Sequence, residues 1–288
     1  MKMKNGNPVI ERVEAPESAF FRENYLRKNK PVILTGVASK WKAFENWTPE
    51  YLKEVAGDAL VTVHYNESGN FHRWYLDHEK RVDKKMKFSE LIDVLTESDE
   101  GAKYYMTEHE LSAVSEKLVQ EVDFSDYLPA VLGFFEPLLF LGRNTCMPMH
   151  YHGTTETMLC QLHGEKKITL FSPEQHALLY PRAWYAKSPL FSEIDGRKVH
   201  AGDKQLDEFP KFANAKPMEF QLHPGEILFI PLQWWHLTSV TGYQVSVTHF
   251  WKADLGVWNF PRPGFRLLAR DVLFKGKKQL EKLKTVFK

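Results

Sequence analysis

A mainly β fold with flanking helices is what this sequence predicts, and three observations carry the prediction. From Met149 onward, short apolar runs follow one another between turn signals. Before that point, helical spacing alternates with isolated strand-like runs. Aromatic residues make up 14% of the chain, with 20 Phe, 11 Tyr and 8 Trp, which suits a strand-rich core or an aromatic-lined pocket.

Element by element, Ser18 to Lys28 has helical spacing, with Phe20, Phe21, Tyr25 and Leu26 as an apolar stripe. The β-branched run Val32, Ile33, Leu34 after Pro31 reads as a buried strand ending near Gly36. Thr48 as N-cap, Pro49 at the first helical position and Gly57 near the end frame a helix. Leu60 to Tyr65 is a strand, and Phe88 to Leu95 an amphipathic helix with Phe88, Leu91, Ile92 and Leu95 on one face. The second half reads as strands in ETMLCQLHG, KKITLFSP, MEFQL, EILFIP, HLTSV and YQVSVTHFW, punctuated by Pro224-Gly225 and Thr241-Gly242. The last pair of strands is expected to form a hairpin across Thr241-Gly242. Between KKITLFSP and MEFQL, Leu178 to Lys216 is an irregular insertion containing Pro181, Pro189 and Pro210. After Trp251 the chain turns helical and Lys-rich, with Leu280, Leu283 and Phe287 on an amphipathic tail that is expected to dock on its own domain or on a second copy as a homodimer contact.

At 288 residues, one large domain or two small ones fit, and no repeat or clear linker divides the chain. Its 38 Lys and Arg nearly cancel 37 Asp and Glu, which argues against a dedicated nucleic-acid binder. Two cysteines, Cys146 and Cys160, cannot make a disulfide framework. The N-terminus lacks the apolar core of a signal peptide, and no apolar run approaches the roughly 20 residues that cross a bilayer. The expectation is a soluble, cytoplasmic protein with no membrane partner.

The densest chemical signal is MPMHYHGTTETMLCQLHGEKKITLF. His150 and His152, one residue apart, point the same way on a strand, and two imidazoles on one face hold a divalent metal if a third ligand reaches them. Glu156 follows four residues later, and PGEILFIPLQWWH ends in His236 on what reads as a neighbouring strand. Taken alone, an H-x-H pair is commonplace, but here it is joined by Gly225, Pro231 and His236 in the spacing G-x5-P-x4-H, which together form the two-part pattern of metal-binding cupins.

At these residues the chain resembles the cupin-like branch of the JmjC oxygenases, a family that includes the asparaginyl hydroxylase that inhibits hypoxia-inducible factor. The resemblance extends over KPVILTGVASKW, WTPEYL, GEKKITLFSPEQ, PGEILFIPLQWWH and VSVTHFW. It implies a double-stranded β-helix with helices packed outside, holding Fe(II) and 2-oxoglutarate. As one domain over 1–288, it would have a helical part to about residue 100, a barrel core over about 101–253 and a helical tail over about 254–288. By the same resemblance His150 and His236 match the iron-binding histidines. Lys166 matches the lysine that meets the distal carboxylate of 2-oxoglutarate, with Lys167 on the other face. Tyr105 resembles the tyrosine that adds a hydrogen bond to that carboxylate, although Tyr104 is adjacent. Trp251 matches an aromatic residue near the iron, and His249 a polar position behind it. A lysine at position 166 can instead pair with Glu156 or Glu165.

The family's motif carries Asp or Glu two residues after the first histidine, and here that position is His152. Replacing a carboxylate by imidazole makes the site more cationic and widens its choice of metal, since imidazole also suits Zn, Cu and Ni. Three outcomes stay open: a three-His iron site, a sphere completed by Glu156, or a binding module without catalysis. The lead expectation is hydroxylation of a protein or peptide side chain, with a small molecule as the alternative substrate. A three-His or three-His-one-Glu dioxygenase that does not use 2-oxoglutarate, or another divalent metal, are the alternatives in chemistry. No reader domain or charge field points to chromatin. Arg182, Trp184 and Tyr185 in the insertion, with Phe191, are expected to frame the substrate entrance.

Overall fold

Short apolar stretches alternate with tight turns along the second half of the chain, and each turn redirects the strand that follows it. In chain order the strands are β1 (Met3–Lys4), β2 (Asn7–Pro8), β3 (Arg12–Glu14), β4 (Val32–Thr35), β5 (Leu60–Tyr65), β6 (Val82–Lys87), β7 (Tyr104–Glu110), β8 (Leu138–Arg143), β9 (Cys146–His150), β10 (Thr155–His163), β11 (Lys166–Phe171), β12 (Met218–Leu222), β13 (Ile227–Ile230), β14 (Trp235–Val240) and β15 (Tyr243–Lys252). The computed structural model describes residues 3–4, 7–76, 82–128, 136–203 and 205–254. The expected C-terminal helix and its dimer contact lie outside the described residues.

A nine-stranded sheet has the order β3-β4-β13-β10-β15-β8-β7-β5-β6, and a four-stranded sheet the order β12-β11-β14-β9. Pairing is antiparallel except between β3 and β4. From β8 to β15 the chain moves between the two sheets at every connection but one, so the fold is a cupin barrel of two facing sheets, as the sequence predicts. The exception is β11 to β12, where the insertion sits. The expected hairpin across Thr241-Gly242 does not form. β14 pairs with β11 and β9, whereas β15 pairs with β10 and β8, so that turn carries the chain from one sheet to the other. Gly164, between β10 and β11, makes the same kind of crossing at φ +72, and a Cβ there would meet Tyr243 O at 2.5 Å.

Strand parity sorts the core into layers. Leu159 on β10, Ile168 and Leu170 on β11, Leu228 and Ile230 on β13 and Ile33 on β4 fill the space between the sheets. Residues of opposite parity, among them Met158, Cys160, Ile227, Phe229, Val245 and Val247, face outward from the larger sheet and pack under helices. The helix Pro49–Ala56 begins at Thr48, whose hydroxyl accepts from Tyr51 N, with Pro49 at its first turn. The helix Phe88–Glu97 buries Phe88, Leu91, Ile92 and Leu95. The outer face of the smaller sheet, Met149, Phe171, Trp235 and Leu237, is covered by the insertion through Leu179, Ile194 and Phe212.

Residues up to about 100 are less purely helical than expected, because β3 to β6 all join the larger sheet. Each of these strands finds its partners far along the chain or across a helix, so local periodicity shows the strand but not the sheet. Phe20 also departs from its expected stripe. The helix Ser18–Phe21 passes into a π-turn over Arg22–Leu26, which buries Phe21 and Tyr25 and leaves Phe20 47% exposed. No helix among the described residues is long and apolar enough to cross a membrane.

Candidate metal centre

β9 and β14 are neighbours in the smaller sheet, and His150 and His236 face each other in their register. His236 shares its inward parity with Thr238, whereas Trp235 and Leu237 point outward into the core beneath the insertion. His152 lies two residues beyond β9, where its carbonyl accepts from Gln233 N at 3.2 Å. These local anchors bring one ring nitrogen from each of His150, His152 and His236 within 4.8 Å of one another. The ring centroids are 4.1 Å apart for His150 and His236, 4.8 Å for His152 and His236 and 5.3 Å for His150 and His152.

In each ring Nδ1 is already engaged. His150 Nδ1 donates to Pro148 O at 2.8 Å and His236 Nδ1 to Trp234 O at 3.0 Å, while His152 Nδ1 meets Thr157 Oγ1 at 2.8 Å. With Nδ1 occupied, Nε2 is the atom left to converge on the centre, the arrangement by which a second partner orients a metal-binding histidine. Burial holds His150 at about 4 and His152 at about 3, and His236 well below its ordinary value, and for His152 and His236 the neighbouring rings add to the effect. All three are therefore neutral at pH 7, the protonation state that ligates a cation. Three neutral, pre-aimed imidazoles fit a divalent metal.

The pocket holding this centre is walled by both sheets and has about 480 Å³ of empty space, the open solvent at its mouth included. Lys166 lines it from β11, is 3% exposed, and donates through Nζ to Ser246 Oγ at 2.6 Å. Burial pulls its ammonium down to about 7. Ser246 Oγ in turn lies 2.7 Å from Gln161 Oε1 and 2.6 Å from Gln244 Oε1, so the lysine end of the pocket is closed by neutral polar groups. Lys166 stands opposite Val240 on β14 and Leu170 opposite His236, a separation of four residues or roughly 13 Å of strand between the two rungs. A cationic group at one end and three metal-competent nitrogens at the other suit an anion that chelates a metal with its far end. Lys167 is half-buried on the opposite face, as alternation requires.

Tyr105 also lines the pocket, and burial raises its hydroxyl. Glu156, which could have completed the sphere, Trp251, expected near the iron, and His249, expected behind it, do not line the pocket. On β10 and β15 the inward parity belongs to Thr157, Leu159, Thr248 and Phe250. Glu156 pairs across the strands with Trp251 on the outward face, where Trp251 Nε1 donates to Glu156 Oε2 at 2.9 Å and the Trp251 ring stacks on Phe229 at 6.0 Å. Glu156 and Trp251 thus lie on the face turned away from the three histidines. His249 shares that outward parity and packs 5.6 Å from the Phe124 ring. His163 is exposed.

Of the expected entrance residues, Arg182 pairs with Glu193 at 3.2 Å and donates to Leu76 O at 3.3 Å. Trp184 and Tyr185 are 52% and 72% exposed, with rings 5.8 Å apart. None of the three lines the pocket, but Phe191 from the same insertion stacks on the His150 ring at 5.2 Å. Sequence reasoning missed Thr157, Thr238, Thr248 and Phe250 as pocket residues. Their signal lies in the alternation of β10, β14 and β15, the same alternation that separates Lys166 from Lys167. It also missed Glu108, which lines the pocket from a bulge in β7 at φ +53.

The profile of the Cupin-like domain matches residues 17–256. Among curated proteins, the chain is 28% identical over 254 residues to "Lysine-specific demethylase 8" of Danio rerio, covering 86% of this chain and 59% of that protein. It is 29% identical over 265 residues to "JmjC domain-containing protein D" of Dictyostelium discoideum, covering 84% and 56%. It is also 24% identical over 259 residues to "tRNA wybutosine-synthesizing protein 5" of Homo sapiens, covering 84% and 78%. The chain spans rather more than half the length of the first two of these relatives.

Proposed function

Because the chain belongs to the cupin-like domain family, we propose that it is a JmjC-type non-haem iron, 2-oxoglutarate-dependent oxygenase with a three-His metal centre, hydroxylating a protein or peptide side chain or a small molecule. The observation that carries this reading is Lys166, a buried ammonium whose described hydrogen bond is to a hydroxyl, in the same pocket as three converging imidazoles. Fe(II) and 2-oxoglutarate, when bound, would supply the oxidising chemistry.

The chain's own residues have separable tasks in that chemistry. His150, His152 and His236 would hold the metal through Nε2. Lys166, steadied by Ser246, would fix the distal carboxylate of the cosubstrate by a charge-assisted hydrogen bond, with Tyr105, Thr238 and Thr248 lining the path between. Leu159, Ile230, Phe140 and Phe250 would exclude water. Phe191 would brace the His150 ring from the side of the insertion. The names of the relatives refer to lysine-specific demethylation and to tRNA wybutosine synthesis; the substrate proposed for this chain rests on neither. A second reading, a three-His dioxygenase that takes no 2-oxoglutarate, is favoured by the wholly neutral ligand set.

Metal analysis and titration calorimetry separate the readings. His150→Ala and His236→Ala are expected to lose the metal. Lys166→Ala is expected to keep it while weakening 2-oxoglutarate by about 10- to 100-fold. His152→Asp, which adds a negative charge to the ligand set, is expected to retain Fe(II) and to form succinate. Wild-type protein that binds Fe(II) but neither binds 2-oxoglutarate nor forms succinate supports the second reading, and protein that binds no metal at all defeats both.

A further inference from the structure

His152 differs from the other two ligands in what holds its Nδ1. Pro148 O and Trp234 O are carbonyls, which only accept, so His150 and His236 are fixed as Nδ1–H tautomers with Nε2 lone pairs facing the centre. Thr157 Oγ1, 2.8 Å from His152 Nδ1, belongs to a hydroxyl that either donates or accepts. Thr157 is 2% exposed, and its rung neighbours across both strands, Ile230 and Phe250, are apolar. The Thr157 end of that hydrogen bond is therefore set among apolar side chains, where its direction matters.

Three lone pairs aimed at one point from within 4.8 Å repel one another when no cation lies between them. His150 and His236 cannot relieve this, because turning either tautomer would set an N lone pair against a carbonyl oxygen. His152 can. Resting on the proposed metal centre, we propose that Thr157 is a positioning residue that makes His152 a conditional ligand. Without metal, the Thr157 hydroxyl donates to Nδ1 and His152 carries its proton on Nε2, facing the neighbouring ring nitrogens. When a divalent cation enters, the ring proton is relocated from Nε2 to Nδ1, the Thr157 hydroxyl turns its own hydrogen away so that its oxygen accepts the hydrogen bond from Nδ1–H, and Nε2 becomes a ligand. The ring stays neutral throughout, so no proton leaves the site.

The test uses the full chain with Zn(II) as the probe. Zn(II) titrations of wild type, Thr157→Ser and Thr157→Val are compared, and nitrogen-15 NMR of labelled histidines reads each tautomer with and without Zn(II). Thr157→Ser is expected to bind within about threefold of wild type. Thr157→Val is expected to bind about 10- to 100-fold more weakly, the usual effect of losing such a partner. In metal-free wild type, His150 and His236 should appear as Nδ1–H and His152 as Nε2–H, with His152 alone switching on Zn(II) addition. Equal affinity of Thr157→Val and wild type, or His152 found as Nδ1–H before metal is added, overturns the proposal. Wild type that binds no Zn(II) defeats the metal centre itself, and the metal-free spectrum still decides whether Thr157 holds His152 as Nε2–H.

Discussion

Lys166 is the residue whose environment is most at odds with its chemistry. Its ammonium is buried and drawn down to about 7 from an ordinary 10.5, so between those values the unfolded chain binds more protons than the native one. The Lys166 contribution to the stability of the protein without 2-oxoglutarate should therefore rise with pH from about 7 to about 10.5. An anion beside Nζ would raise the group back and flatten that slope. Thermal unfolding across that pH range should show the slope in wild type, reduced by 2-oxoglutarate, and absent in Lys166→Met, which should also be more stable by about 1–3 kcal/mol at pH 7. A wild-type curve that is flat in this window would remove the case for an uncompensated charge. The motifs make His150, His236 and Lys166 legible in the sequence, because each lies on a strand whose alternation sets its face, whereas His152 joins them from the loop beyond β9. Thr157 is not legible there, since its role depends on which way a loop returns His152 over β10.

At the scale of the element, strand parity decides which side chains enter the barrel, and it corrects three expectations at once. Glu156, Trp251 and His249 stand beside pocket residues in the sequence and back to back with them in space. Motif spacing places a residue along a strand, and only the register with a partner strand tells which face it occupies. Glu156 gives a direct check. Burial raises its carboxyl to about 7, so the native state keeps a proton that the unfolded chain releases between about 4.5 and 7, and this contribution to stability is lost as pH rises through that window. Glu156→Gln should therefore leave metal content unchanged and raise stability at pH 8 by about 1–2 kcal/mol, measured by denaturant unfolding. Loss of metal in that variant would return Glu156 to the coordination sphere. The strands themselves are largely readable from alternation and turn residues. The sheet-to-sheet crossing at Thr241-Gly242 is not, because a two-residue turn between two strand-like runs looks the same whether the strands pair or part.

Across the whole molecule, the cupin barrel follows from paired motifs about 80 residues apart, whereas the width of the larger sheet does not. β3 to β6 join it through contacts that no local pattern encodes. The insertion between β11 and β12 covers the outer face of the smaller sheet and lies along β9. β9 ends that sheet, and the insertion meets its outer side through Ser192 N to Met149 O at 2.9 Å and Tyr151 N to Leu190 O at 3.1 Å. The strand that carries His150 is thus an edge held on one side by a loop and on the other by β14, and the proposed metal would cross-link His150 on β9 to His236 on β14. Removing the metal should loosen this edge first. Amide exchange in β9 is expected to quicken by about tenfold or more under chelator and to slow again on metal addition, while β10 and β15 stay protected. An unchanged β9 would show that the loop alone suffices. A loosened β9 offers unpaired amides to any other chain, so metal loading also bears on colloidal behaviour: a metal-starved preparation should be the one that self-associates.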